Sequence, residues 1–359
     1  MASMWEGFPG WTGDAWYLFI PLVVEGTSGF DPPPADFVET IRRRATRDLD
    51  PATGADSSLA GYIRAISYSR ARLRATVSDP VVLNNVGLEE NLTLMAIRAH
   101  PTAHRFPYLA VVYPPNRRGQ GSGMAAPGRI EFDPPRTPNR TRARSRFLHT
   151  APMGTWAMEV LHNVTEIGDY YNSPRHPGNF DEMAGGAATH PSAYTKRLAG
   201  WLDPASFVYH AGYERRRYTL HAVGSSYPLP GRYAAVLHQA PGSNRCLIIE
   251  ARLRTDTWEQ PLPSEGVVVY EFAPRDDPWD RLNPRGPWPP LELRTRTALQ
   301  VGETFTHHDT HTTHNGPRDH RSGRGRLRTL TVTSAVENGF VIEVQDDAGT
   351  RRGTVEGFG

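Results

Sequence analysis

Residues 156–169 constrain the fold more than any other stretch, because they carry two opposed stripes at helical spacing. Side chains three and four positions apart lie on one helix face, so the pattern predicts an amphipathic helix over about residues 155–170. The polar stripe can be a solvent-exposed helix face, which is the commoner case, or it can line a functional site. The polar stripe consists of Glu159, His162, Glu166 and Asp169, and the apolar stripe of Trp156, Val160, Val164 and Ile167.

Two residues of the polar stripe match part of a metal-binding motif. In the H-E-x-x-H pattern, two histidines on one helix face bind zinc and the intervening Glu is the general base. Glu159 and His162 occupy the second and fifth places, whereas Met158 occupies the first. A thioether is a soft, neutral ligand that suits copper(I) better than zinc. An E-x-x-H pair alone is a weak signal, so further motifs are needed to support a metal site.

Length and composition indicate a folded, water-soluble chain. Its 359 residues carry a net charge of +2, and 22% of them are charged. No apolar run is long enough to span a bilayer, and no signal peptide is visible, so we expect a cytoplasmic protein or a mature secreted form. Cys246 is the only cysteine and cannot form an internal disulfide.

The order of helical and strand patterns predicts an α+β fold in three regions. Residues 1–205 mix strands and helices and contain the polar stripe. Within them, residues 129–132 are expected to form a short strand in an otherwise irregular segment. Residues 206–290 are rich in strand patterns and would complete the same domain, and residues 291–359 would form a small all-β module, similar to a β-sandwich, with a hairpin turn at Asn338-Gly339.

Several further segments resemble zinc metallopeptidases of the immune inhibitor A and gametolysin type, which have a zincin fold. The segments are residues 58–68, 179–186, 189–203 and the strand pair 247–252 and 264–270, so the resemblance covers about residues 15–272. It implies a zincin-like catalytic domain. It also implies a role for each matching residue: Glu159 as general base, His162 and Asp169 as zinc ligands, and Met183 as the structural residue of a Met-turn.

The chain departs from that family in its ligands. Met158 stands where the first histidine is expected, Thr165 stands where the family has glycine, and Asp169 lies one residue late. Glu166 is four residues after His162 and could supply a replacement carboxylate. A site of His162, Glu166 and Asp169 would accept manganese or iron as well as zinc. Histidines in flanking loops could also turn inward, although a hydrogen-bonding role is the commoner one for such residues: His149, His176 and His190.

Three functions fit these residues. The first is a metal-dependent hydrolase, peptidase-like, that acts on a peptide or small molecule with zinc or another divalent ion and with Glu159 as base. The second is a pseudopeptidase that binds a peptide or other ligand without cleaving it. The third is the same scaffold adapted to a different acid–base reaction. The sequence leaves the oligomeric state open.

Two charged segments are weaker candidates. The histidine-rich residues 307–314 could form a second metal site, but a polar loop is the commoner outcome for such a run. The basic run at residues 136–146 lacks interleaved aromatic residues, so we expect no nucleic-acid partner. If the helix faces a cleft, this run would favour substrates with acidic groups.

Overall fold

The computed structural model describes residues 9–26, 30–49, 54–84, 89–115, 123–132, 134–171, 175–210, 214–225, 231–238, 246–272, 291–309 and 326–347. The helices in these ranges are α1 (Phe37–Thr46), α2 (Leu59–Ile66), α3 (Glu89–Ala99), α4 (Met153–Thr165), α5 (Glu182–Gly185) and α6 (Ala193–Leu198). The strands are β1 (Gly13–Glu25), β2 (Ala71–Val77), β3 (Val81–Asn84), β4 (Tyr108–Tyr113), β5 (Met124–Pro127), β6 (Ala143–Leu148), β7 (Phe207–His210), β8 (Arg216–His221), β9 (Ala234–His238), β10 (Cys246–Arg252), β11 (Gly266–Phe272), β12 (Leu291–Leu293), β13 (Thr304–Asp309), β14 (Arg326–Val336) and β15 (Gly339–Asp347).

The first sheet is mostly parallel and positions the predicted site. Its order is β2-β1-β4-β6-β5, and β3 pairs with the far end of β1. β1 runs parallel to β2, β3 and β4, and β4 runs parallel to β6. β5 is antiparallel to β6 and forms one edge. Strands β1 and β4 are buried over most of their length, as expected for parallel strands covered by helices.

The other two sheets pack face to face. One has the order β12-β11-β10-β9-β7, and the other has the order β13-β14-β15-β8. Alternating residues of β10 and β11 point into a shared apolar core with β14 and β15, including Ile249, Val269, Val332 and Ile342. The intervening residues, such as Ile248 and Val268, join the main core under the first sheet. This alternation is the period of two that a strand buried on both faces requires.

The mixed α/β architecture, with three sheets and few helices, agrees with the α+β expectation. The predicted hairpin is confirmed, since β14 and β15 pair around Asn338, which adopts a positive φ of 58°. The short strand expected at residues 129–132 is wrong, because the edge strand forms at Met124–Pro127 instead. Strand pairing also crosses the proposed boundary at residue 290, since β12 pairs with β11 and β15 pairs with β8. Among the described helices, none has the length and apolar character that crossing a bilayer would require.

A fully buried arginine ties the second sheet to loops of the first region. Arg252 on β10 donates to the carboxylates of Glu250 at 3.0 Å and Glu259 at 2.9 Å. It also donates to the carbonyl oxygens of Phe180 at 2.5 Å and His190 at 2.9 Å. The three charged side chains are all inaccessible to water. The guanidinium therefore compensates two carboxylates that have no access to solvent.

Replacing Arg252 with Met is expected to destabilise the protein by about 3–5 kcal/mol, because two buried carboxylates lose their counter-ion. The matched control is Arg254→Met, which removes a partly exposed arginine two residues further along the chain and should cost less than about 1 kcal/mol. Urea unfolding at neutral pH gives both free energies. Equal losses in the two variants would mean that the buried cluster does not depend on Arg252.

Candidate active site

Helix α4 begins after β6 and packs its apolar side on the first sheet. The indole of Trp156 lies 4.4 Å from the ring of Phe147 and 6.0 Å from that of Phe19, measured between ring centroids. Its Nε1 donates to the carbonyl oxygen of Leu148 at 3.1 Å. Asn163, in the last turn of the helix, donates to the hydroxyl of Tyr17 on β1 at 2.7 Å. These contacts fix the rotation of the helix, and with it the direction of Glu159 and His162.

The helix ends at Thr165, earlier than the predicted end at about residue 170. The Thr165 hydroxyl donates to the carbonyl oxygen of Leu161 at 2.7 Å, and Glu166 adopts a left-handed conformation with φ of 59°. A left-handed residue is a common way to end a helix. Glu166 is consequently exposed and off the helical stripe. The predicted helical spacing between His162 and Glu166 does not hold, and Glu166 does not join the other polar residues.

The chain then turns back and brings Asp169 to His162. Asp169 Oδ1 lies 2.9 Å from His162 Nε2, and the carbonyl oxygen of Ile167 lies 2.6 Å from His162 Nδ1. The hydroxyl of Tyr171 donates to Asp169 Oδ2 at 2.7 Å. Because a carbonyl oxygen only accepts, Nδ1 must carry a proton, and Nε2 is left to face the carboxylate.

Protonation of His162 and Asp169 is coupled. Burial alone would lower the pKa of His162, but the hydrogen bond and negative charge of Asp169 outweigh it and hold the pKa above its ordinary value. Burial likewise opposes ionisation of Asp169, yet the hydrogen bond from His162 and its charge keep the pKa of Asp169 below its ordinary value. Each partner therefore favours the charged form of the other.

Glu159 lies on the same face of α4, one turn before His162. Its side chain is only 7% exposed. Burial raises the pKa of Glu159, the charges of His162 and Arg146 oppose this rise, and the charge of Asp169 adds to it, so that the net pKa is about 7. A carboxyl group with a pKa near 7 exchanges protons readily at neutral pH, which is the property a general acid–base catalyst needs.

The backbone of Gly123 covers the Glu159 carboxyl. A Cβ atom at Gly123 would lie 2.4 Å from Glu159 Oε1, closer than any real contact. Gly123→Ala should therefore displace the carboxyl and lower any turnover about tenfold or more. The same Cβ atom would lie 2.7 Å from Cγ of Glu159 and from Cγ2 of Thr155, so folding stability should fall as well. Activity and thermal unfolding of Gly123→Ala check this, and unchanged activity would place the reacting groups elsewhere.

The two methionines of the predicted motifs are both buried. Met158 is 9% exposed and its terminal methyl group lies near the loop at Gly186, which packs closely against Gly154 of α4. Met183 is fully buried, and its carbonyl oxygen accepts from the backbone N–H of Tyr170 at 2.9 Å. The segment around Met183 therefore anchors the loop that carries Asp169.

The metal donors present can be compared with a zinc site. A tetrahedral zinc ion with bonds of about 2.0–2.1 Å separates neighbouring donors by about 3.3 Å. The 2.9 Å between His162 Nε2 and Asp169 Oδ1 needs only a small opening to reach that value. The carbonyl oxygen of Ile167 accepts a hydrogen bond from Nδ1 and fixes the orientation of the ring, as the groups behind metal-binding histidines do. Within the described residues, however, no group of three His, Cys, Asp or Glu side chains is placed to hold an ion.

The flanking histidines lie in other surroundings. His149 packs edge-on against the ring of Phe37, and His176 accepts from the backbone N–H of Gly178. His190 is fully buried and bonds Asp256 through Nε2 at 2.9 Å and Lys196 through Nδ1 at 3.0 Å. These contacts give all three a hydrogen-bonding or packing role.

The histidine-rich run is only partly described. His307 and His308 belong to β13, opposite Arg328 and Leu327 of β14, and residues 310–314 lie outside the described residues.

No family model matches this chain, and no curated protein matches it. Its function is therefore argued from the geometry. Sequence patterns had not indicated Tyr171 or Gly123. Tyr171 is two residues after Asp169 in the chain, which was the one available signal. The position of Gly123 over Glu159 depends on the pairing of β5 with β6.

Proposed function

We propose that this chain is a hydrolase of peptide-like bonds, with a zincin-like catalytic region and with Glu159 as the group that transfers protons. The observation that carries the proposal is the nearly buried Glu159 carboxyl, with a pKa of about 7, beside the His162–Asp169 pair. Enzymes raise the pKa of carboxyl groups by burial when they are used near neutral pH.

Glu159 would act twice in one turnover. As a carboxylate it accepts a proton from water, and the resulting hydroxide oxygen bonds to the substrate carbonyl carbon. As a carboxylic acid it returns that proton to the leaving nitrogen when the carbon–nitrogen bond breaks. The proton that Glu159 takes up is the proton that it returns, so Glu159 is a carboxylate again at the end of each cycle.

His162 and Asp169 are the protein donors that would hold a divalent ion, with zinc as the first candidate. Such an ion, when bound, supplies polarisation of a water molecule or carbonyl group. Tyr171 fixes the second oxygen of Asp169, and the carbonyl of Ile167 fixes the imidazole ring, so both donors are held in place by neighbours.

Element-resolved metal content, measured with peptide-library cleavage, tests the proposal. We expect bound zinc or another divalent ion in the wild type, and loss of metal and cleavage together in His162→Ala. His307, His308, His311 and His314 should be replaced by Ser in both proteins, so that metal held by a histidine-rich segment does not add to the measured content. Cleavage that survives His162→Ala at the wild-type rate would refute the metal-dependent proposal.

The burial of Met158 favours a second candidate, a pseudopeptidase that binds a peptide without cleaving it. Met158 packs toward Gly186 and offers no charged or imidazole donor where the related family has its first histidine. Loss of one of three ligands weakens zinc by several kcal/mol, since a structural affinity of about 10–16 kcal/mol is shared among few bonds. Peptide binding with no cleavage and no metal would favour this function.

A further inference from the structure

A cleft of about 1030 Å³ lies at the amino ends of β1, β4 and β6. Four arginines line it: Arg105, Arg129, Arg140 and Arg142. All four are exposed, and within the described part of the chain none of them forms an ion pair. Among the described lining residues Asp14 is the one acidic side chain, and it is paired with Arg72 at 2.7 Å and Arg74 at 3.2 Å. The cleft therefore carries an excess of positive charge.

Trp16 and Glu159 lie on opposite faces of the first sheet. Tyr17 faces α4, because its hydroxyl accepts a hydrogen bond from Asn163 of that helix. Successive side chains of a strand point to opposite faces, so Trp16, which lines the cleft, faces away from α4. Tyr108, which also lines the cleft, is the cross-strand neighbour of Tyr17 and stacks on its ring with 5.5 Å between the centroids, so the cleft meets both faces of the sheet at the strand ends. Among the described residues, the cleft lining does not include Glu159, His162 or Asp169.

The segment that carries two of the arginines is held in place by backbone contacts. The N–H groups of Arg140 and Arg142 donate to the carbonyl oxygens of His104 and Pro107 at 2.8 and 2.7 Å. The guanidinium of Arg136, from the same basic run, donates to the carbonyl of His100 at 2.6 Å. Arg136 is thus structural, and Arg140 and Arg142 present their charges from an ordered segment. Such ordering lowers the entropic cost of binding.

Aromatic side chains lie beside these arginines. Trp16 is 54% exposed, an unusual state for so large an apolar ring, and Phe106 and Tyr108 are half-buried in the same lining. Exposed aromatic faces stack on planar rings, and guanidinium groups bind phosphate oxygens through paired hydrogen bonds. The aromatic residues belong to β1 and to the start of β4, so they are far in sequence from the basic run and only the fold brings the two sets together.

We propose that this cleft binds a polyanion that carries a planar aromatic ring, of the class of nucleoside polyphosphates. The four arginines would contact the phosphates, and Trp16 would stack on the ring. The cavity has the size of known small-ligand sites, which span roughly 300–1,000 Å³.

Calorimetric titration of the metal-free full chain with ATP, tripolyphosphate and adenosine tests this proposal. We expect saturable binding of ATP, weaker binding of tripolyphosphate and no measurable binding of adenosine. Arg140→Gln and Arg142→Gln should each weaken ATP about tenfold, because a charge-assisted hydrogen bond is lost. The matched control Arg42→Gln removes the same charge from an exposed position on α1 and should change the affinity less than about twofold.

The variant Trp16→Leu distinguishes the contribution of ring stacking from that of phosphate binding. It should weaken ATP and leave tripolyphosphate unchanged, and circular dichroism shows that each variant is folded. Three results would overturn the proposal: no saturable ATP binding, equal affinity for ATP and tripolyphosphate, or equal effects of Arg142→Gln and Arg42→Gln.

Discussion

Glu159→Gln is expected to lower hydrolysis roughly 10²–10⁴-fold, the usual contribution of a general base. Glutamine keeps the size of the side chain and cannot accept the proton from water. Substrate affinity should change little, because the substitution leaves His162 and Asp169 intact. Initial rates on a cleaved library peptide, with separate kcat and KM values, give the result. An unchanged kcat would show that Glu159 is not the base.

The same variant should be more stable than the wild type at alkaline pH. The folded-state pKa of Glu159 is raised to about 7 from the ordinary 4.5, so folding favours the protonated form. The wild type therefore loses stability as pH rises from about 4.5 to about 7, and the full difference amounts to about 3 kcal/mol. Glutamine has no such titration. The stability gain of Glu159→Gln over the wild type should grow between about pH 4 and about pH 7.5 in metal-free buffer and stay level above that, and a constant difference across this window would contradict the shifted pKa.

Met158→His is expected to raise zinc affinity by about a hundredfold, because it adds a third donor to His162 and Asp169. Positions 158 and 162 are four residues apart within α4, so both side chains lie on one helix face. The metal-free variant should also be less stable than the wild type, since a polar ring replaces a packed thioether. Competition with a zinc-binding dye measures the affinity.

Met95→His is the matched control, because Met95 is exposed on α3 and the same chemical change there adds a donor far from α4. It should leave zinc affinity unchanged. Equal affinities of Met158→His and Met95→His would show that His162 and Asp169 do not face a common ion, and the second candidate function, ligand binding without cleavage, would then be favoured.

The sequence predicted individual strands better than it predicted how the strands pair. The segment Tyr108–Tyr113 is an uninterrupted apolar run, and Gly266–Phe272 is apolar apart from Glu271. Such runs are typical of buried strands, and the structure forms a strand at each. The pairing of β15 with β8 joins residues more than a hundred positions apart. No local pattern encodes such a pairing, because it depends on how the two inner faces pack.

The site was predicted in part for the same reason. Helical periodicity identified Glu159 and His162. Their burial depends on the packing of Trp156 against the first sheet, which periodicity does not predict. Periodicity also placed the end of the helix too late, because the spacing of apolar residues carries no information about the left-handed turn at Glu166. That turn removes Glu166 from the stripe and returns Asp169 to His162, so the contact arises from the loop and not from helical spacing.

The ionisation of Glu159 in the metal-free protein tests the account most directly. Its carboxyl carbon can be followed by NMR across the pH range and assigned by the resonance that disappears in Glu159→Gln. The account predicts a titration midpoint of about 7. A midpoint near the ordinary value of 4.5 would mean that the carboxyl is solvated, and would contradict its role as a buried base poised at neutral pH.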